Sequence, residues 1–146
     1  LFALFQYMIG NVDWAATAGP DPEECCHNVK LIAPRPLGAD DLVVPVPYDF
    51  DSAGLVDAPY AAPPEALPIR SVTQRLFRGY CVHNGTLDGA RQLFLQRESS
   101  ILALIAAEDR LTSGSKKGAD RYLEDFFDVL KNPGDFDKYV REKCRR

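Results

Sequence analysis

Three short segments place acids, amides and a histidine where a fold has no need of them: Gly10-Asn11-Val12-Asp13-Trp14, Cys26-His27-Asn28 and Pro47-Tyr48-Asp49-Phe50-Asp51. An Asp carboxylate and an Asn amide oxygen are hard oxygen ligands of the kind magnesium or manganese takes. A further carboxylate can orient or deprotonate an attacking hydroxyl. That combination suits phosphoryl transfer, in which charge spreads over several phosphate oxygens and a divalent metal neutralises it. Asp13, Asn28 and Asp49 are the expected set. Asp51 reads equally as a second metal ligand or as a solvated turn residue. Lys30, two residues past Asn28 and on the same side of a strand, reads as a phosphate contact or as a solvated strand lysine.

These residues need elements to position them. Leu1, Leu4, Phe5 and Met8 recur at helical spacing, and Gly10 supplies the stop. Residues 11–27 are rich in Gly, Pro and acids, above all Gly19-Pro20-Asp21-Pro22-Glu23-Glu24, and predict an irregular loop. A strand over 28–32, a turn marked by Pro34, Pro36 and Gly38, and a β-branched run over 42–46 predict a hairpin. An Asp after the helix, an Asn at the head of the hairpin and an Asp at its exit then meet at one end of a two-stranded ribbon.

Beyond the ribbon, Pro59, Pro63, Pro64 and Pro68 exclude helix and central strand, which leaves a long loop of the kind that often serves function. Helices follow over 71–77, 86–107, 118–132 and 136–146. In the third, Tyr122, Phe126, Val129 and Leu130 form an apolar face opposite Asp120, Glu124 and Asp128. Tyr48, Phe50, Tyr60 and Tyr80 read as core aromatics, and Arg70, Arg75 and Arg78 as ion-pair partners of acidic helices. The expected architecture is mainly α with a small β-hairpin, an α+β arrangement in a single domain spanning 1–146.

Gly10-Asn11-Val12-Asp13, followed by Asn28 and then by Tyr48-Asp49, resembles the catalytic segment of HipA-type and CotH-type kinases and, more distantly, of phosphatidylinositol kinases. The order of helix and hairpin agrees as well. The resemblance implies the C-terminal lobe of a longer two-lobed, kinase-like phosphotransferase. In it Asp13 is the catalytic Asp of the loop, Asn28 is a metal ligand, and Asp49 is the metal-binding Asp that meets the nucleotide phosphates. Its cofactors are ATP with Mg2+ or Mn2+, and its acceptor is unknown. The sequence departs from the family pattern in the acidic, proline-containing stretch between Asp13 and Asn28. A glycine-rich phosphate loop and a strand lysine are expected in an N-terminal lobe upstream of Leu1.

Two other readings use the same residues. One is a catalytically silent relative whose helices form an interaction module. The other is a metal-dependent hydrolase built on Asp13, His27, Asp49 and Asp51. A net charge of −4 provides no basic stripe for displacing phosphate counterions, so nucleic acid is not an expected partner. Lys138, Arg141, Lys143, Arg145 and Arg146 are placed in the last helix, where cations favour the C-terminus. The apolar run over 1–9 is too short to span a bilayer, and no other window approaches that length. Four cysteines lack CxxC spacing. They read as reduced thiols or, second, as a disulfide from the Cys25-Cys26 pair to Cys81 in an exported protein. The compartment stays open. Asn84-Gly85-Thr86 is read as a turn rather than a glycosylation site.

Overall fold

A computed structural model describes residues 1–17, 25–33 and 42–146. The acidic stretch at 19–24 and the predicted turn at Pro34, Pro36 and Gly38 lie outside the described residues. The remainder is mainly helical with a two-stranded antiparallel hairpin, as expected.

Helix α1 spans Phe2–Ile9 and ends where Gly10 takes φ 66°. That left-handed turn returns the Asn11 amide to the Gln6 carbonyl at 2.9 Å and aims the chain into the acidic loop. A side chain at position 10 would collide with the Tyr122 hydroxyl, so glycine is required twice over, by its dihedral and by the space. Leu4, Tyr7, Met8 and Ile9 are buried against the later helices.

Strands β1 (Val29–Ile32) and β2 (Val44–Pro47) pair in antiparallel register, with Val29 opposite Pro47 and Ile32 opposite Val44. Val29 is buried, whereas Leu31, Ile32, Val44 and Val46 remain exposed. The ribbon is anchored at its Asn28 end and stands proud of the core at the other.

The core is made by α2 (Leu87–Ala107), α3 (Ser113–Lys131) and α4 (Pro133–Tyr139). Phe126, Phe127, Leu123 and Leu130 of α3 meet Phe94 of α2, Phe136 of α4 and Tyr7 of α1. α3 begins five residues earlier than predicted because the Thr112 hydroxyl accepts the Ser115 amide at 3.1 Å and caps it. Asn132 then serves two helices. It closes α3, and its side chain accepts the amides of Gly134 and Asp135 at the head of α4, where Pro133 occupies the first turn.

Several expectations are corrected. Residues 71–77 are turns, not helix. The Ser71 hydroxyl takes the Thr73 amide and the Gln74 side chain takes the Arg70 amide, local bonds that compete with a helical ladder. The terminal helix stops at Tyr139, and a short 3-10 turn over Arg141–Lys143 follows. The expected thiols are two disulfides, Cys25–Cys26 and Cys81–Cys144. The second ties the C-terminus to the 3-10 turn over Cys81–Thr86, where Arg145 also pairs with the backbone of Gly79 and Cys81. Tyr48 and Tyr60 are exposed rather than core, although Phe50 does pack on Phe5. Among the described residues no helix is long and apolar enough to cross a membrane.

Candidate functional site

The loop after Gly10 is pinned at nearly every polar backbone group. Asn11, buried, accepts the Asp13 amide on its side-chain oxygen at 2.9 Å, and its carbonyl accepts the Trp14 indole N–H at 3.1 Å. Trp14 is buried and meets Phe2 edge-on. The carbonyls of Val12 and Trp14 both accept from one nitrogen of Arg78, at 2.7 Å for Trp14. What this loop leaves half-exposed is the side chain of Asp13.

The second segment comes alongside through a pair of backbone bonds between Ala15 and His27, at 2.9 and 3.0 Å. This brings His27 and Asn28 onto Asp13. His27 Nε2 lies 2.9 Å from Asp13 Oδ1, and since an ionised carboxylate only accepts, that nitrogen carries the proton. The Asn28 side-chain nitrogen donates to the Asp13 carbonyl at 2.9 Å and reaches Oδ2 at 3.2 Å. It also approaches His27 Nε2 at 3.4 Å, so the three side chains touch one another.

These bonds settle the amide orientation of Asn28. Its nitrogen is committed to Asp13, and among the described residues no donor reaches its side-chain oxygen. A hard cation needs an acceptor of that kind. The third segment arrives through β2, whose following residue Tyr48 donates its amide to the Asn28 carbonyl at 3.1 Å. Asp49 is therefore one residue from the backbone position opposite Asn28. Its carboxylate is exposed, with no hydrogen-bond or ion-pair partner among the described residues. The ribbon end thus offers a free amide oxygen and a free carboxylate, the donor chemistry Mg2+ or Mn2+ takes while keeping waters and phosphate oxygens as its other ligands.

Asn28 and Asp49 also share an uncommon backbone. Both sit in the left-handed region, at φ 52° and 58°. Asn and Asp tolerate this region better than other side-chain-bearing residues, and such positions concentrate at functional sites. The pairing of an Asn at the ribbon's entry with an Asp at its exit is explained by this shared conformation.

The remaining candidates are placed less centrally. Asp51 is exposed, accepting the Ser52 hydroxyl on Oδ1 at 3.3 Å and the Tyr60 hydroxyl on Oδ2 at 3.1 Å. That carboxylate holds the exposed Tyr60 hydroxyl above its usual range. Lys30 is exposed and lies over the Tyr48 ring, 5.4 Å from its centroid, one residue into the ribbon from Val29. Among the described residues no three His, Cys, Asp or Glu side chains gather closely enough to hold a metal ion by themselves. Of the four residues a hydrolase would use, only Asp13 and His27 are joined.

Arg75 and Arg78 were expected in ion pairs, and neither makes one among the described residues. Arg75 donates to the carbonyls of Tyr7 and Met8, at 3.1 and 3.2 Å, and to that of Tyr122, whose ring it covers. It thereby satisfies the open carbonyl end of α1. Burial pushes both guanidiniums below their usual value. The roles of Asn11 and Arg78 around Asp13 were missed by sequence reasoning. Asn11 stood inside the quoted motif, and its position two residues before the acid was the signal. Arg78 lies too far along the chain for spacing to reveal it.

No protein-family model, curated protein or solved structure matches this chain.

Proposed function

We propose that this chain is the metal-binding and acceptor-activating lobe of a kinase-like phosphotransferase that uses ATP with Mg2+ or Mn2+. The observation that carries the reading is the bond from the Asn28 amide nitrogen to Asp13. It joins the proposed base to a proposed metal ligand, and it commits the Asn28 nitrogen so that the side-chain oxygen is left with no donor among the described residues.

In this reading Asp13 takes the proton of an acceptor hydroxyl as its oxygen attacks the γ-phosphorus and the bond to ADP breaks. His27 donates to the other oxygen of the Asp13 carboxylate and keeps it aimed. Asn28 and Asp49 hold the divalent metal, which supplies charge neutralisation on the transferring phosphoryl oxygens. Lys30, exposed two residues past Asn28, is the proposed contact to the nucleotide phosphates, and Asp51 serves as a further ligand or as the anchor of Tyr60. The acceptor is a hydroxyl compound of unspecified class.

A second lobe provides the remaining grip on nucleotide. The exposed apolar side chains of the ribbon, Leu31, Ile32, Leu42, Val44 and Val46, support a partner surface there. Without that lobe, this chain is expected to transfer no phosphate.

The test is thermal denaturation of the chain with ATP, with each metal, and with both. Stabilisation by ATP only when Mg2+ or Mn2+ is present, lost in Asp49→Ala, supports the proposal. No response to metal and nucleotide together sinks it and leaves the interaction-module reading. Stabilisation by zinc or manganese without nucleotide, lost in His27→Ala, points instead to hydrolase chemistry.

A further inference from the structure

Arg78 is drawn from a segment more than sixty positions beyond the acidic loop, yet it is bonded to the two residues that bracket Asp13. One guanidinium nitrogen donates to the carbonyls of both Val12 and Trp14. The carbonyl between them, that of Asp13, accepts from Asn28. Arg78 and Asn28 therefore share the three consecutive carbonyls around Asp13.

Other features mark this arginine as placed for that task. Its guanidinium packs on the Trp14 ring, 5.2 Å from the centroid. Burial and the neighbouring Arg145 charge work against its cationic form, and Asp13 is close enough for its charge to favour it. Its Nε is buried without a partner among the described residues, a cost a purely structural arginine would avoid. A flexible ammonium is a point donor, whereas the planar guanidinium presents the two hydrogens of one nitrogen in fixed directions, one for each carbonyl.

We infer that Arg78 is the positioning residue of Asp13: by fixing the carbonyls on either side, it holds the carboxylate in register with His27 and Asn28. The inference rests on the proposed function only for what Asp13 then does.

The experiment compares wild type with Arg78→Lys and Arg78→Ala by NMR, following the His27 ring nitrogens and the Asp13 amide, with Arg75→Lys as a control that alters a structural arginine. The expected result is a displaced His27 Nε2 signal and a displaced Asp13 amide in both Arg78 variants, partly restored in Arg78→Ala by added guanidinium ion. Arg75→Lys should leave both signals in place. Where Arg78→Ala fails to fold, Arg78→Lys decides alone. A folded Arg78 variant with unchanged Asp13 and His27 signals overturns the inference, as does an equal displacement in Arg75→Lys. In the protein carrying both lobes, Arg78→Lys should lower kcat by about 10- to 100-fold with little change in KM for ATP, the size usual for a supporting residue behind a functional one. Absence of turnover in the wild-type two-lobed protein would count against the phosphotransferase reading, while the NMR signals judge Arg78 independently.

Discussion

The amide nitrogen of Asn28 lies 2.9 Å from the carbonyl of Asp13 and 3.2 Å from its carboxylate Oδ2, a side chain gripping both the backbone and the functional group of one acid. The bond does two things. It fixes Asp13 against a strand end, and it leaves the Asn28 oxygen with no donor among the described residues. Asn28 does this from a left-handed backbone at φ 52°, which separates its side-chain role from its conformational role.

The separation can be measured. Asn28→Gly keeps the backbone conformation and removes the amide, whereas Asn28→Ala removes the amide but keeps a Cβ, which without the local bonding of an Asn side chain the left-handed region disfavours by roughly 1–2 kcal/mol. Both variants should lose metal-dependent stabilisation by ATP. The alanine variant should also unfold at lower denaturant than the glycine variant. Equal stability of the two would show that the φ value is not constraining, and retained nucleotide response would remove Asn28 from the site.

Cys81 and Cys144 are bonded across a separation of 63 residues, so their link closes a loop that contains α2, α3 and α4. Cross-linking a loop of that length restricts the unfolded chain by up to about 4 kcal/mol. Cys144→Ser should lower the unfolding free energy by an amount of that order, read from urea denaturation. The Cys81 segment should loosen first, because the backbone pairing of Arg145 with Gly79 and Cys81 depends on the same tether. A change below about 1 kcal/mol, small on the scale usual for a native disulfide, would contradict the pairing.

Tyr7 is almost fully buried between Phe77 and Phe126, and desolvation pushes its hydroxyl up to about 12. Between pH 10 and 12 the unfolded chain therefore releases a proton that the folded one retains. Stability contributed by the neutral phenol is intact below pH 10 and is lost as pH rises toward 12, by up to roughly 3 kcal/mol at about 1.4 kcal/mol per unit. Denaturation followed across this range should steepen as predicted in wild type and flatten in Tyr7→Phe. Identical alkaline profiles would place the hydroxyl in water.

The stop of α1 at Gly10, the hairpin, and Phe126 and Leu130 of α3 were legible because each depends on neighbours close in sequence, whereas the buried face of α3 also takes Leu123 and Phe127 and leaves Tyr122 and Val129 half-buried. Periodicity and a single glycine suffice for such features. The joining of Asp13 to Asn28 was legible only in outline, as two polar residues at one end of a ribbon. Their contact runs through the Ala15 and His27 backbone pair, which leaves no periodic trace. The arginines were misread for a related reason: a cation near acids suggests ion pairs, whereas Arg75 and Arg78 answer buried carbonyls, and carbonyls are identical at every position of a sequence. The 71–77 segment was misread because Ser71 and Gln74 bond locally in place of a helical ladder. Cysteine pairing depends on where the chain ends meet, and in that respect the four thiols carried no spacing signal.

The most direct test of the central claim is paramagnetic broadening by Mn2+ with ATP, recorded on the amide spectrum of the chain. The Asn28 side-chain amide and the backbone amides of Asp13, Asn28 and Asp49 should broaden first. This broadening should require ATP and be lost in Asp49→Ala. Broadening centred on the exposed acids of α3, Glu124, Asp125 and Asp128, or none at the ribbon end at any Mn2+ and ATP concentration, would contradict it.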